Sequence, residues 1–116
     1  MAMDTTLKTK WLTALRSGEY PQTAFALHRV EPRSDGLPAG YCCLGVLATV
    51  AGIPEDEDGW FTFPRTYSNG TMWAKSLPTL AQFELWGIAD GGFVLTDMND
   101  NGRSFAEIAD YIERNL

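Results

Sequence analysis

Cys42 and Cys43 stand side by side in a chain that holds one histidine, His28. A thiol at the start of a helix can have its pKa lowered by the partial positive charge there. With an imidazole brought close as base, it becomes the nucleophile of a thiol hydrolase. Cys43 with His28 is therefore one reading of the chain. The competing reading is a core thiol, since free cysteine is among the most buried residue types and Leu44, Val46 and Leu47 flank the pair. The core reading is preferred, and no residue is assigned a catalytic role. Neighbouring cysteines rarely meet disulfide geometry, so both are expected as free thiols.

Asp97-Met98-Asn99-Asp100-Asn101-Gly102 matches the first half of a calcium loop, in which alternate oxygens and a sharp glycine turn wrap the ion. The second half fails: Ile108 stands where a bidentate Glu belongs, and Ser104 already begins a helix. The segment reads as an Asx-rich turn whose side chains bond local backbone, with no metal expected. Two cysteines and one histidine do not give a zinc site. Walker, G-x-G-x-x-G and G-x-S-x-G signatures are absent, and no cofactor is expected.

What remains is a set of stacking and anion-pairing side chains. Trp60, Phe61, Tyr67 and Trp73 could stack on a planar base, and Arg29, Arg33 and Arg65 could pair with phosphates. A helix start at residues 41–43 would add backbone N–H groups for an anion. In a small domain such aromatics are more often core and such arginines more often solvated.

Several elements must position these residues. Leu7, Trp11, Leu12 and Leu15 recur at helical spacing, which predicts a helix over residues 5–16, capped by Asp4 or Thr5 and closed by Gly18. Alternation over residues 23–31 predicts a strand with Phe25 and Leu27 on one side, before breaker-rich residues 32–40. Residues 41–51 are apolar nearly all round and predict the central buried helix, within which Gly45 implies another element packed close. After the solvated acidic loop at 55–59, Ser68-Asn69-Gly70 predicts an aromatic hairpin from residues 60–63 and 71–74. A short helix opens at Leu77-Pro78 and carries Leu80, Phe83 and Trp86, and residues 93–96 suggest a last short strand. Ser104 and Glu107 form a capping box ahead of the apolar face Phe105, Ile108, Ala109, Ile112 and Leu116. The expected fold class is α+β: one domain over residues 1–116, with about four short helices and a small antiparallel sheet that includes the hairpin.

Composition narrows the function classes. The formal charge of −6 disfavours generic attraction to nucleic acid polymers or anionic lipid. No apolar run reaches the roughly 18 residues of a membrane span, and the N-terminus lacks the pattern of a signal peptide, so a cytoplasmic chain is expected.

Trp11-Leu12-Thr13-Ala14-Leu15-Arg16-Ser17-Gly18-Glu19-Tyr20, then Tyr41-Cys42-Cys43-Leu44-Gly45-Val46-Leu47, then the stretch from Leu95 to Ile112, are the strings that carry a resemblance. Nearly the whole chain resembles a family of small proteins common in bacteriophage and prophage genomes. That family has a W-x-x-A-L-x-S-G-x-Y start, a Y-C-C-L-G-V-L centre and an L-N-D-x-G-x-S-F-x-x-I-A close. Met98 replaces the usual Leu of the close, a volume-conserving swap. The resemblance implies a phage-encoded binding protein in the host cytoplasm that counters host defence, most concretely by sequestering a small nucleotide signal. Arg29, Tyr41, Trp73, Asn99 and Asp100 are the ligand-binding candidates on that expectation. Asn99 and Asp100 are included because the motif keeps both polar groups at a turn. The alternatives are the Cys43 and His28 thiol enzyme, and a protein inhibitor whose acidic residues 55–58 meet a basic host surface. The partner is then a nucleotide or a host defence protein, and self-association into a homo-oligomer is left open.

Overall fold

In a computed structural model of the chain, Asp4 opens the first helix, α1 (Thr5–Ser17), by accepting the Leu7 N–H at 2.9 Å, and Gly18 closes it in the left-handed conformation. The structure describes residues 3–67, 70–75, 78, 80–90 and 92–116, with side chains described for 3–63, 78, 82–90 and 92–116. Among these, the remaining elements are β1 (His28–Arg29), β2 (Gly40–Tyr41), α2 (Cys43–Val50), β3 (Thr62–Tyr67), β4 (Gly70–Lys75), α3 (Leu80–Trp86), α4 (Phe93–Asp100) and α5 (Phe105–Asn115). The fold is α+β, with five helices and two antiparallel two-stranded sheets among the described residues, β1 with β2 and β3 with β4. The hairpin pairs Thr62 with Lys75 through to Tyr67 with Gly70; its turn residues Ser68 and Asn69 lie outside the described residues.

The central helix is α2. It packs against α1 and α4, and α5 also packs against both of those helices. Cys43, Val46, Leu47 and Ala48 are fully buried, together with Trp11 of α1 and Ile108, Ala109 and Ile112 of α5. Trp11 Nε1 donates to the Cys43 carbonyl at 2.9 Å, which satisfies the one polar group of that ring inside the core. Gly45 is where the expected close approach occurs. A Cβ there would lie 1.8 Å from the Leu27 carbonyl oxygen, so only glycine lets segment 24–27 pass over the helix. The Ser104 and Glu107 capping box forms as the sequence implies, and α5 buries Phe105 along with its three core residues.

Three expectations are corrected. The strand over residues 23–31 shrinks to β1, because residues 24–27 bend and their polar groups are met from elsewhere. The Phe25 N–H goes to Asp100, the Ala24 carbonyl to Arg29 Nη2, and the Leu27 carbonyl to the Cys42 N–H. Phe25 consequently points outward and does not share a buried face with Leu27. The central helix begins later than residue 41, since Tyr41 is in β2 and Cys42 is extended; the Cys42 Sγ caps by accepting the Gly45 N–H. Residues 93–96 are the first turn of α4 and not a strand. Asp90 accepts the Gly92 and Val94 N–H groups at 2.9 and 3.1 Å, a capping interaction that outweighs the β preference of Val94 and Thr96.

Candidate functional site

Residues 97–102 are the last turn of α4 and its exit, not a free Asx loop. Asn101 bonds locally, its Nδ2 donating to the Asp97 carbonyl, but Asn99 turns inward and is 2% exposed. Its Oδ1 accepts the Cys43 N–H at 3.2 Å and Gln22 Nε2 at 3.1 Å, while its Nδ2 donates to the Thr23 carbonyl at 2.8 Å. The N-terminus of α2 is thereby filled from within the protein, by Asn99 on Cys43 and by the Cys42 thiol on Gly45, which removes it as an anion site. Asp100 Oδ1 accepts the Phe25 N–H at 3.0 Å. Both residues act on segment 22–25, and neither is among the residues that line the cleft formed by segments 25–33 and 57–61.

Segment 25–33 forms one wall of a cleft of about 810 Å³, and residues 57–61 form the other. Its first wall is unusual at Phe25, which has a φ of +63° and is 64% exposed. A bulky residue in the left-handed region is strained by about 1–2 kcal/mol, and the Asp100 bond holds it there. Val30 and Trp60 are also exposed, at 47% and 57%, so three large apolar side chains open onto one depression. Trp60 is presented by an Asx-type loop in which Asp56 Oδ1 accepts the Asp58 and Trp60 N–H groups at 2.9 and 3.0 Å. Gly59 lies tight on the first wall, where a Cβ would sit 2.9 Å from Val30 and 3.0 Å from the His28 carbonyl.

His28 joins the two walls. Its Nδ1 meets the Glu55 carboxylate, and its ring stacks on Tyr41 with centroids 3.9 Å apart and planes 9° from parallel. Tyr41 in turn takes the edge of Tyr20 at 5.1 Å. Burial, and then the nearby Glu55 carboxylate, raise the Tyr41 phenol above its ordinary pKa. Tyr41 thus supports the cleft from behind and is not one of its lining residues.

The cations of the cleft are largely engaged. Arg33 makes a two-point pair with Asp35, and the hydrogen bonds between them are the main cause both of the raised guanidinium pKa and of the Asp35 carboxyl being held at about 2. Arg29 donates Nη2 to the Ala24 carbonyl at 3.0 Å, and its buried Nε has no acceptor among the described residues. Glu31, Glu57 and Asp58 line the cleft and make no ion pair among the described residues.

Neither thiol is poised for chemistry. Cys43 is fully buried and points its Sγ at the Leu95 carbonyl, and burial pushes its pKa well above the ordinary value; the same cause raises Cys42 to about 11. His28 is engaged by Glu55 and Tyr41. Among the described residues no group of three or more His, Cys, Asp or Glu is placed to hold a metal ion, and no helix is long and apolar enough to cross a membrane.

Of the five ligand candidates, then, Arg29 lines the cleft, Tyr41 backs it, and Asn99 and Asp100 anchor its first wall from below. The Trp73 side chain lies outside the described residues, as do those of Arg65 and Tyr67. Phe25 and Val30 were not candidates. A period-2 pattern places Phe25 on a buried face, and no local signal in the sequence marks the left-handed turn that frees it. No curated protein and no solved structure matches the chain. A family model does match, over residues 3–116, and the chain belongs to that family, described as a domain of unknown function (DUF8296).

Proposed function

We propose that this chain is a small non-catalytic binding protein that engages its target through the cleft between residues 25–33 and 57–61. The observation that carries this reading is the convergence of Phe25, Val30 and Trp60, three exposed apolar side chains, on one depression. Large exposed apolar groups gathered in one place are the usual mark of an interaction surface. A strained Phe25 held outward by a carboxylate from another element adds weight, because such strain persists where a surface must be presented. The resemblance to small phage proteins supplies the biological setting: a phage product that disarms a host defence by occupying one of its components.

One observation favours a second reading, in which the target is a small nucleotide signal. Arg29 lines the cleft with no carboxylate partner among the described residues, and its guanidinium could pair with a phosphate while Trp60 stacked on the base. The thiol enzyme gains nothing from the geometry, with both sulfurs buried.

The test is affinity capture from defence-bearing host cells, with mass spectrometry of the proteins and small molecules retained by the wild-type chain and by Trp60→Ala. A retained species lost in the variant is the expected outcome; identical retention by both would remove the cleft from the account.

A further inference from the structure

Building on the reading of the cleft as a binding surface, we infer that its occupant is a cationic peptide segment of a protein partner, in which an apolar side chain is flanked by Lys or Arg. Phe25, Val30 and Trp60 offer an apolar seat for one large side chain. Around that seat stand Glu31, Glu57 and Asp58, none of them in an ion pair among the described residues. The charge of Arg33 is met by Asp35, which leaves Arg29 as the one cleft arginine without a carboxylate partner among the described residues. Three carboxylates against one such arginine make a field that repels polyphosphates and attracts ammonium and guanidinium groups. The overall charge of −6 acts in the same direction at long range.

Loop construction agrees with this assignment. Asp56 Oδ1 accepts the N–H groups of Asp58 and Trp60, so the turn fixes the Trp60 backbone next to the exposed residues Glu57 and Asp58. An apolar anchor and its acidic rim are thus set by one short segment, the arrangement of a buried hot spot surrounded by polar contacts. The His28 pair with Glu55 ties that segment to the opposite wall, so the seat exists before a partner arrives.

A displayed random-peptide library selected on the immobilised full-length chain tests this, with Trp60→Ala, Phe25→Ala and the double variant Glu57→Gln with Asp58→Asn as comparators. Circular dichroism establishes that each variant is folded. The expected result is enrichment of peptides with an apolar or aromatic residue between basic ones. Binding should fall about tenfold or more in Trp60→Ala, as for a hot-spot residue. It should also weaken in the charge variant and with rising salt. Enriched peptides without positive charge that still depend on Trp60 would overturn the cationic assignment and leave the cleft reading standing. Peptides retained equally by the Trp60 and Phe25 variants would overturn both. If no peptide is enriched while ADP-ribose or a cyclic dinucleotide raises the melting temperature in a Trp60-dependent way, the occupant is a nucleotide and the peptide assignment is wrong.

Discussion

Asn99 reaches from the end of α4 to the start of α2, its Oδ1 accepting the Cys43 N–H at 3.2 Å. With its Nδ2 on the Thr23 carbonyl, one buried amide ties together two helices and the segment that leads into the cleft wall. The chemistry of the amide is specific, because this position needs an acceptor and a donor on the same side chain.

Replacing Asn99 by Ala strands the Cys43 N–H and the Thr23 carbonyl, and a loss of about 3 kcal/mol is expected from leaving such buried groups unmet. Asn99→Asp does not rescue, since a carboxylate accepts from Cys43 but has no donor for Thr23 and carries a buried charge. Urea unfolding of the three proteins measures both effects.

Gly45 and Gly52 should respond in opposite degrees to alanine. At Gly45 the added Cβ would stand 1.8 Å from the Leu27 oxygen, and the backbone must separate; a cost of at least about 3 kcal/mol, or failure to fold, is expected. Gly52 has a φ of +78° and open space around it, so alanine there costs only the left-handed strain of about 1 kcal/mol. Soluble yield and denaturant midpoints distinguish the two.

Buried thiols with raised pKa values bear on stability at high pH. The folded state holds both protons more tightly than the unfolded chain, so this contribution is fully present below the ordinary thiol pKa near 9 and is lost as pH rises through about 11 for Cys42. Stability is therefore expected to decline across that window, less steeply in Cys42→Ala. Native protein at neutral pH should react with iodoacetamide only as fast as it opens; fast stoichiometric labelling of Cys43 would return the thiol enzyme to consideration.

Phe25→Gly relieves left-handed strain while removing a side chain that is mostly in solvent. The variant is expected to be at least as stable as the wild type, with a gain of up to about 1 kcal/mol, and to bind its target more weakly. Phe25→Ala keeps the strain and gains nothing. Thermal unfolding beside a binding assay separates the two contributions.

The helices read well from the sequence where their caps were local. Asp4 and Gly18 bounded α1, and Ser104 with Glu107 announced α5, because each signal lies within a few residues of the turn it controls. The errors fell where the deciding bond was distant. Asp100 takes the N–H of Phe25 from 75 positions away and breaks a strand that alternation alone supports. Asn99 and Asp100 stood out as a polar pair, yet a pattern of residue types does not say whether a side chain faces a ligand or its own core. The cleft was legible only in parts: Arg29, Arg33 and Trp60 are residue types that invite contact, while Phe25 and Val30 resembled ordinary strand residues until the backbone turned them outward.

The central claim, that the cleft between residues 25–33 and 57–61 is the binding surface, is tested most directly by amide and indole chemical-shift mapping. The isotope-labelled chain is titrated with the species it captures. The account predicts that shifts concentrate on residues 25–33, residues 57–61 and the Trp60 indole, with smaller changes at Asp100, whose carboxylate holds the Phe25 N–H. Shifts clustered instead along the shallow depression beside Thr9, Thr13 and Tyr20, with the Trp60 indole unmoved, would contradict it.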